Sequence, residues 1–340
     1  MTSARAQAEF ALAWALRILG RLEEHEVSPR AVILSYHRIL PQDRLRRFSF
    51  LEDLVTPLES FAAQVEILAA RHRVVCLEEL VRAMREGRRP PERCVCLTFD
   101  DGYADNYLHA FPVLREHRLP ATIFLTTGFL GGGRGIFWWD EVCRWRAAGA
   151  TSVEVEGLGR REIRTRAQRD RLLEALKRLP MDAILERVRA VSSRLGLAPD
   201  AQAREDFLTW DQVREMQKEG ISFGAHTVGH CLLPRETPER RRAEIRQSRA
   251  DVEKETGRPC SLFCYPNGGC DDETRKEVIA AGYVGAVATI PRDLLPGGDL
   301  YQLPRKTVNF RAGITVFRFK LSPHPERIKH LLEGDLRRSA

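Results

Sequence analysis

Residues 94–106 read CVCLTFDDGYADN: an apolar run from Cys94 to Phe99 ends on two adjacent carboxylates, Asp100 and Asp101, with Gly102 directly behind them. The run has the length and composition of a buried strand. Side by side the carboxylates repel each other, and a cation on one of them, or a proton on the other, would relieve the repulsion. An N-cap and Asx-turn pair at a strand-to-helix junction is the plainer reading. The rest of the chain decides between the two.

Working outward, AVILSYH (31–37) reads as a strand. SFAAQVEILAA (60–70) reads as an amphipathic helix with Phe61, Val65 and Leu68 on one face and Ser60 as its candidate cap. VVCL and ATIFLT on either side of the opening stretch, then ISFGAH, CSLFCYP and YVGAVAT, are further strands. Between them run helical patterns, among them EELVRAMREG, NYLHAFPVLREH, WDQVREMQKEG, TPERRRAEIRQSRADVEKETG and DDETRKEVIAAG. Strand–helix alternation over this length argues for a parallel α/β sheet, open or closed into a barrel. Residues 130–209 depart from it, with a glycine run at 131–133, FWWDEVCRW, a hairpin pattern at 151–165 and two charged helical stretches. They read as a largely helical insertion that could cap a site.

At 340 residues, with 43% hydrophobic and 30% charged residues, the composition is that of an ordinary soluble protein. The net charge of +7 is read as solvated surface in preference to a platform for an acidic glycan, lipid headgroup or nucleic acid. Basic residues are scattered, and no basic stripe interleaved with aromatics marks a nucleic-acid module. Eight cysteines, several inside strand-like runs and none in a CxxC pair, suggest buried thiols in a reducing compartment. Cys94 and Cys96, two apart on one strand, point the same way and are read as core.

The N-terminal MTSARAQAEFALAWALRILGRLEEH is interrupted by Arg17 and lacks a signal-peptide core, and the longest uncharged segment, 119–133, is too short to span a bilayer. The expected location is the cytoplasm. The expected organisation is an N-terminal amphipathic helix (1–29), a barrel over 30–320 carrying the insertion, and a helical tail at 321–340. Packing of the first helix on the domain is favoured over a peripheral membrane contact through Phe10, Trp14, Leu16 and Leu19.

A second strand end bears on the opening pair. HTVGH places His226 and His230 four apart directly after ISFGA, where one helical turn would let both imidazoles converge. Polar groups at the C-terminal ends of parallel strands face the usual active-site side. Two histidines at one such end and a carboxylate pair at another make a metal site the better reading. Imidazole with carboxylate suits zinc and similar divalent ions, and three protein ligands leave a position open. A single aspartate suffices as ligand, which frees its neighbour to act as a base. In FCYPNGG (263–269), Asn267-Gly268 is a turn signal that either aims backbone N–H groups at an oxyanion or is simply a turn. His37, at the end of the first strand, is a site candidate or a hydrogen-bonded core histidine.

LTFDDG (97–102), HTVGH (226–230) and FCYPNGG (263–269) together resemble, in sequence and in order, the motifs of the polysaccharide deacetylases, the NodB-homology carbohydrate esterases. The resemblance spans roughly residues 30–310 without the insertion, and SYHRI is similar to a branch associated with bacterial surface polysaccharides. It implies a distorted (β/α) barrel with fewer than eight strands and one divalent metal ion, commonly Zn2+. It also implies Asp100 as catalytic base, Asp101, His226 and His230 as metal ligands, and the Asn267 backbone as oxyanion donor.

The chain departs from the family in two places. An arginine that orients the base in many members is replaced by Cys264, for which Arg305 in LPRKTV is the candidate substitute. No C-terminal Leu-x-His supplies a general acid, a role left to His37. Tyr265, Pro266 and Asn267 are expected substrate contacts. So are Trp138 and Trp139, with core anchoring as the alternative for those two. The implied reaction is removal of an N-acetyl group from an amino sugar in a glycan or glycan precursor, with no nucleic-acid partner. A non-sugar amide or O-acetyl ester hydrolase and a non-catalytic glycan-binding protein are the alternatives.

Overall fold

The computed structural model describes residues 31–44, 54–91, 93–198, 206–292, 294, 297–309 and 313–321. The helix expected over 1–29 and the tail beyond residue 321 lie outside the described residues. In chain order the strands are β1 (Ala31–Tyr36), β2 (Arg38–Leu40), β3 (Val55–Pro57), β4 (Arg73–Val74), β5 (Cys94–Phe99), β6 (Ala121–Leu125), β7 (Ser152–Val155), β8 (Gly159–Glu162), β9 (Ile221–Ala225), β10 (Leu262–Cys264), β11 (Gly285–Ala288), β12 (Leu303–Pro304) and β13 (Lys306–Thr307).

The main sheet runs β12-β11-β10-β9-β6-β5-β1-β13, every neighbouring pair parallel. Only Arg305 separates β12 from β13. The first half of segment 303–307 pairs with β11 (Val287↔Leu303) and the second half with β1 (Leu34↔Lys306), so this segment closes the ring. Eight strands that include two halves of one segment make a wall of seven chain segments, a distorted barrel. Short β4 lies along the start of β5 (Arg73↔Cys94), and β6 joins only at Thr98 and Phe99.

β1 and β5 are buried along their whole length because both faces are covered, which is why neither alternates apolar with polar. Their outward residues, Val32, Leu34, Val95 and Leu97, pack with Phe61, Val65 and Leu68 of helix Leu58–Arg71. That helix begins two residues before Ser60, with Pro57 as its N-cap. The inward set, Ile33, Cys94, Cys96, Phe124, Cys264 and Val287, packs with Leu77, Leu80 and Val81 of helix Leu77–Arg85, which follows β4 and closes the N-terminal end. The barrel is therefore a filled core, and its C-terminal mouth is left for chemistry.

After β6 the chain leaves the alternation. Helix Trp138–Ala147, the antiparallel hairpin β7–β8, and helices Arg166–Leu176 and Met181–Arg194 share a core of their own that includes Trp145, Val153, Leu172, Ile184 and Val188. Thr165 and Gln168 form a capping box at the third element. The Met181 N–H at the start of the last helix donates to Glu236 Oε1 at 2.7 Å, tying this lobe to the barrel.

Candidate active site

Period-two alternation on β5 turns Cys94, Cys96 and Thr98 inward, and the next inward position is Asp100, at the barrel mouth. Arg305, 1% exposed, meets it with both ends of its fork: Nη1 donates to Asp100 Oδ1 and Nη2 to Oδ2, each at 2.7 Å. The same guanidinium donates to Thr98 Oγ1 and reaches Cys264 Sγ, both at 3.1 Å. The position that the resemblance assigns to an arginine is thus overlaid by one arriving from the closing segment. Burial alone would raise the Asp100 carboxyl, but the charge and hydrogen bonds of Arg305 outweigh it and hold the group well below the usual carboxylate range. His37 Nε2 lies 3.8 Å from Asp100 Oδ2.

Asp101 breaks the alternation. Its φ is 76° and that of Gly102 is 78°, so the backbone takes two left-handed steps that swing the Asp101 carboxylate back over the mouth. A Cβ at Gly102 would also crowd Leu125 and Leu130, at 3.2 and 3.3 Å. Asp101 Oδ1 then sits 3.5 Å from His226 Nε2 and 3.5 Å from His230 Nε2, and it is buried with no hydrogen-bond partner. HTVGH reaches this geometry without the expected helical turn. Thr227 and His230 adopt φ values of 64° and 56°, and an irregular loop brings the imidazoles to 4.8 Å between centroids. Six non-glycine residues among those described have positive φ, and four of them, Asp101, Thr227, His230 and Asn267, are here. Strain of this kind collects where function over-determines the backbone.

The donor set suits a divalent cation. One carboxylate oxygen and two imidazole nitrogens of Asp101, His226 and His230 lie within 4.8 Å of one another, and the carboxylate oxygen has no other partner. His226 Nδ1 faces Cys264 O at 2.8 Å, and since a carbonyl only accepts, Nδ1 carries a proton, which makes Nε2 the nitrogen that would bind a cation in exchange for any proton of its own. A second grouping, Asp100, His226 and Cys264, is already filled by the Arg305 fork. Burial, reinforced by neighbouring His226, pushes the His230 imidazole down to about 3. Burial opposes charge on His226 too, but Cys264 and Asp101 outweigh it and raise that group.

The second half of the opening stretch has a task that went unrecognised in the sequence. Asp105 accepts from Arg38 Nε through Oδ2 and from the Ile39 N–H through Oδ1, both at 2.8 Å, and Asn106 Nδ2 donates to His37 O at 2.8 Å. Asp105-Asn106 therefore clamps the backbone directly after His37, from its own carbonyl to the Ile39 N–H. The expected continuous helix here opens as a π-turn at Asn106–Ala110 before the α-helix Phe111–Glu116. Two polar residues on the buried face of that pattern were the available signal.

A cleft of about 480 Å³ lies over these groups. His37, both aspartates and both histidines line one side, and Arg169, Leu173 and Lys177 from the inserted lobe line the other. Lys177 Nζ donates to Asn267 Oδ1 at 3.1 Å across the mouth. Asn267 has a φ of 55° in the turn after β10, Pro266 is buried at the start of that turn, and Tyr265 reaches the cleft with a buried hydroxyl. Trp138 and Trp139 touch the cleft while only 5% and 8% exposed, so packing dominates both. Trp139 stacks on Phe137 at 4.2 Å and sits edge-on to His230 at 4.6 Å. Trp139→Ala is expected to cost about 3–5 kcal/mol in a denaturation experiment; a loss well under 1 kcal/mol would show that this ring is no anchor.

The family model for polysaccharide deacetylase matches residues 87–286, and the chain belongs to that family. Bacillus subtilis YxkH is 23% identical over 278 residues, which is 82% of this chain and 71% of that protein. The poly-beta-1,6-N-acetyl-D-glucosamine N-deacetylase of Staphylococcus epidermidis is 32% identical over 109 residues, 30% of this chain and 37% of that protein. Among solved structures, Streptococcus pyogenes deacetylase PplD in complex with acetate superposes with a TM-score of 0.59 at 20% identity, covering 88% of this chain and 100% of that one. IcaB from Ammonifex degensii gives 0.55 at 19% identity, covering 87% and 98%. These likenesses establish the distorted barrel.

Proposed function

We propose that this glycan deacetylase is metal-dependent, with Zn2+ the best match to two imidazoles and a carboxylate, and that it removes N-acetyl groups from an amino sugar. The observation that carries the reading is the junction of two carboxylates with different partners: Asp101 faces His226 and His230, while Asp100 is gripped by Arg305. Asp101, His226 and His230 would hold the ion, which supplies Lewis acidity to an acetyl carbonyl and acidifies water. That acidity matters because a carboxylate held as firmly as Asp100 is a weak base. Asp100 accepts the water proton, and Arg305 keeps its carboxylate in a single orientation. The Asn267 N–H offers a donor to charge developing on the acetyl oxygen, a contribution of about 3 kcal/mol at comparable sites. His37, clamped by Asp105 and Asn106, delivers a proton to the departing amine. Similarity to the staphylococcal poly-N-acetylglucosamine enzyme favours an N-acetyl over an O-acetyl substrate.

Acetate and free amine should be measured together on N-acetylated oligosaccharides, O-acetylated sugars and simple amides. We expect both products in equal amount from the amino sugars, loss of both on chelation, and return on adding zinc. His226→Ala should bind no zinc and remain inactive. Acetate without amine would make the chain an esterase, and activity that survives chelation would end the metal assignment.

A further inference from the structure

HTVGH can hold two converging imidazoles only if its irregular backbone is held in place. Its carbonyls are taken on one side, where the Thr127 N–H donates to Thr227 O at 3.2 Å and the Gly128 N–H to Val228 O at 2.9 Å. Its amides face the opposite way, toward helix Pro238–Thr256. There Glu244, 6% exposed, accepts from the Val228 N–H and the Gly229 N–H through a single oxygen, Oε2, each at 2.8 Å. The helix is polar along most of its length, but Arg241, Glu244, Ile245, Ser248 and Val252 form its buried face, so this carboxylate is turned inward. A buried carboxylate is costly unless hydrogen bonds compensate it, and the paired amides do so. Gly229 leaves the approach open: a Cβ there would collide with the Arg134 guanidinium and press on the Glu244 carboxylate.

We infer that Glu244 is a positioning residue for the metal site, acting through the two amides between His226 and His230 to set where both imidazoles point. The inference rests on the metal reading above and deepens it. Glu244 stands fourteen residues beyond His230 on another element, outside every motif in the sequence. Its oxygen does for the loop backbone what Cys264 O does for the His226 ring, and partners of metal ligands characteristically change metal affinity by about 10–100-fold when lost.

The test uses zinc alone, competed against a chromophoric chelator, on the full chain and on two conservative variants. Glu244→Gln keeps an oxygen at the same reach. Glu244→Asp keeps the charge but withdraws it by one methylene. We expect Glu244→Gln to bind within about threefold of wild type and Glu244→Asp to bind at least about 10-fold more weakly. The Val228 and Gly229 amides of the metal-free Glu244→Asp protein should exchange with solvent faster than in wild type, while its thermal midpoint without metal stays close to that of Glu244→Gln. Wild-type zinc affinity in Glu244→Asp, or equal weakening in both variants, overturns the positioning role. If the wild-type protein itself binds no zinc, the metal reading has failed instead.

Discussion

Asp100→Asn is expected to keep its metal and to lose at least about 100-fold in turnover, the lower range for removing a positioned proton acceptor. The substitution is close to isosteric, and an amide oxygen still accepts from Arg305, so the geometry around Asp101, His226 and His230 should survive. Only the capacity to take a proton goes. In the wild-type chain the Arg305 contact keeps Asp100 ionised throughout the neutral range, so, on the proposed mechanism, protonation of the base is not expected to limit activity there. Metal content and kcat measured on the same preparation decide the matter. Near wild-type turnover would remove Asp100 from the mechanism, and loss of metal would mean that it serves as a ligand.

Arg305→Ala should be among the most damaging substitutions for stability. The pair is wholly buried, and removing one partner of such a pair costs about 3–5 kcal/mol because the other charge is stranded. The sign of the pH dependence follows. With Arg305 present, the folded pKa of Asp100 is depressed, so the pair stabilises the fold above the ordinary carboxylate range and loses that contribution as pH falls through the folded value. Without Arg305, burial is opposed only by the weaker pull of His37 and His226 and the folded pKa rises, so the variant's deficit should be largest at neutral pH and shrink on mild acidification. Its activity should also need a higher pH, because the base must first be ionised. Urea denaturation at neutral and mildly acidic pH checks this, with Asp100→Asn added in the Arg305→Ala background. If the two substitutions prove additive, the carboxylate and guanidinium are not coupled as the geometry requires.

The parts of this site that were readable in sequence are those written in local pattern. CVCLTF announces β5, the paired aspartates mark its end, and HTVGH and FCYPNGG mark two more strand ends. The hairpin at 151–165 was readable from its turn residues and appears as β7–β8. That a guanidinium should answer Asp100, and that Arg305 was the candidate, could be argued from the missing arginine at position 264. Its route could not, because strands of two residues such as β12 and β13 carry no periodicity to detect. The left-handed Thr227 was equally hidden, since a β-branched residue rarely takes positive φ and tertiary bonds impose it; His230 is of a type that visits this region more often, but nothing local marks it as doing so here. Asp105, Asn106 and Glu244 act on backbone groups of distant segments. Their partners are set by the closed barrel rather than by spacing along the chain.

The seam formed by residues 303–307 has a consequence for how substitutions at this site combine. Arg305 Nη2 already rests 3.1 Å from Cys264 Sγ, so a small side chain at 264 leaves the room that the incoming guanidinium occupies. Positions 264 and 305 are thus mutually exclusive hosts for a single positive charge. Restoring the arginine common in the family, by Cys264→Arg alone, would crowd two like charges against one carboxylate and should impair this chain. The same change made together with Arg305→Ala could be tolerated. Whether a residue at position 264 counts as a defect or a requirement is decided forty-one positions further along the chain.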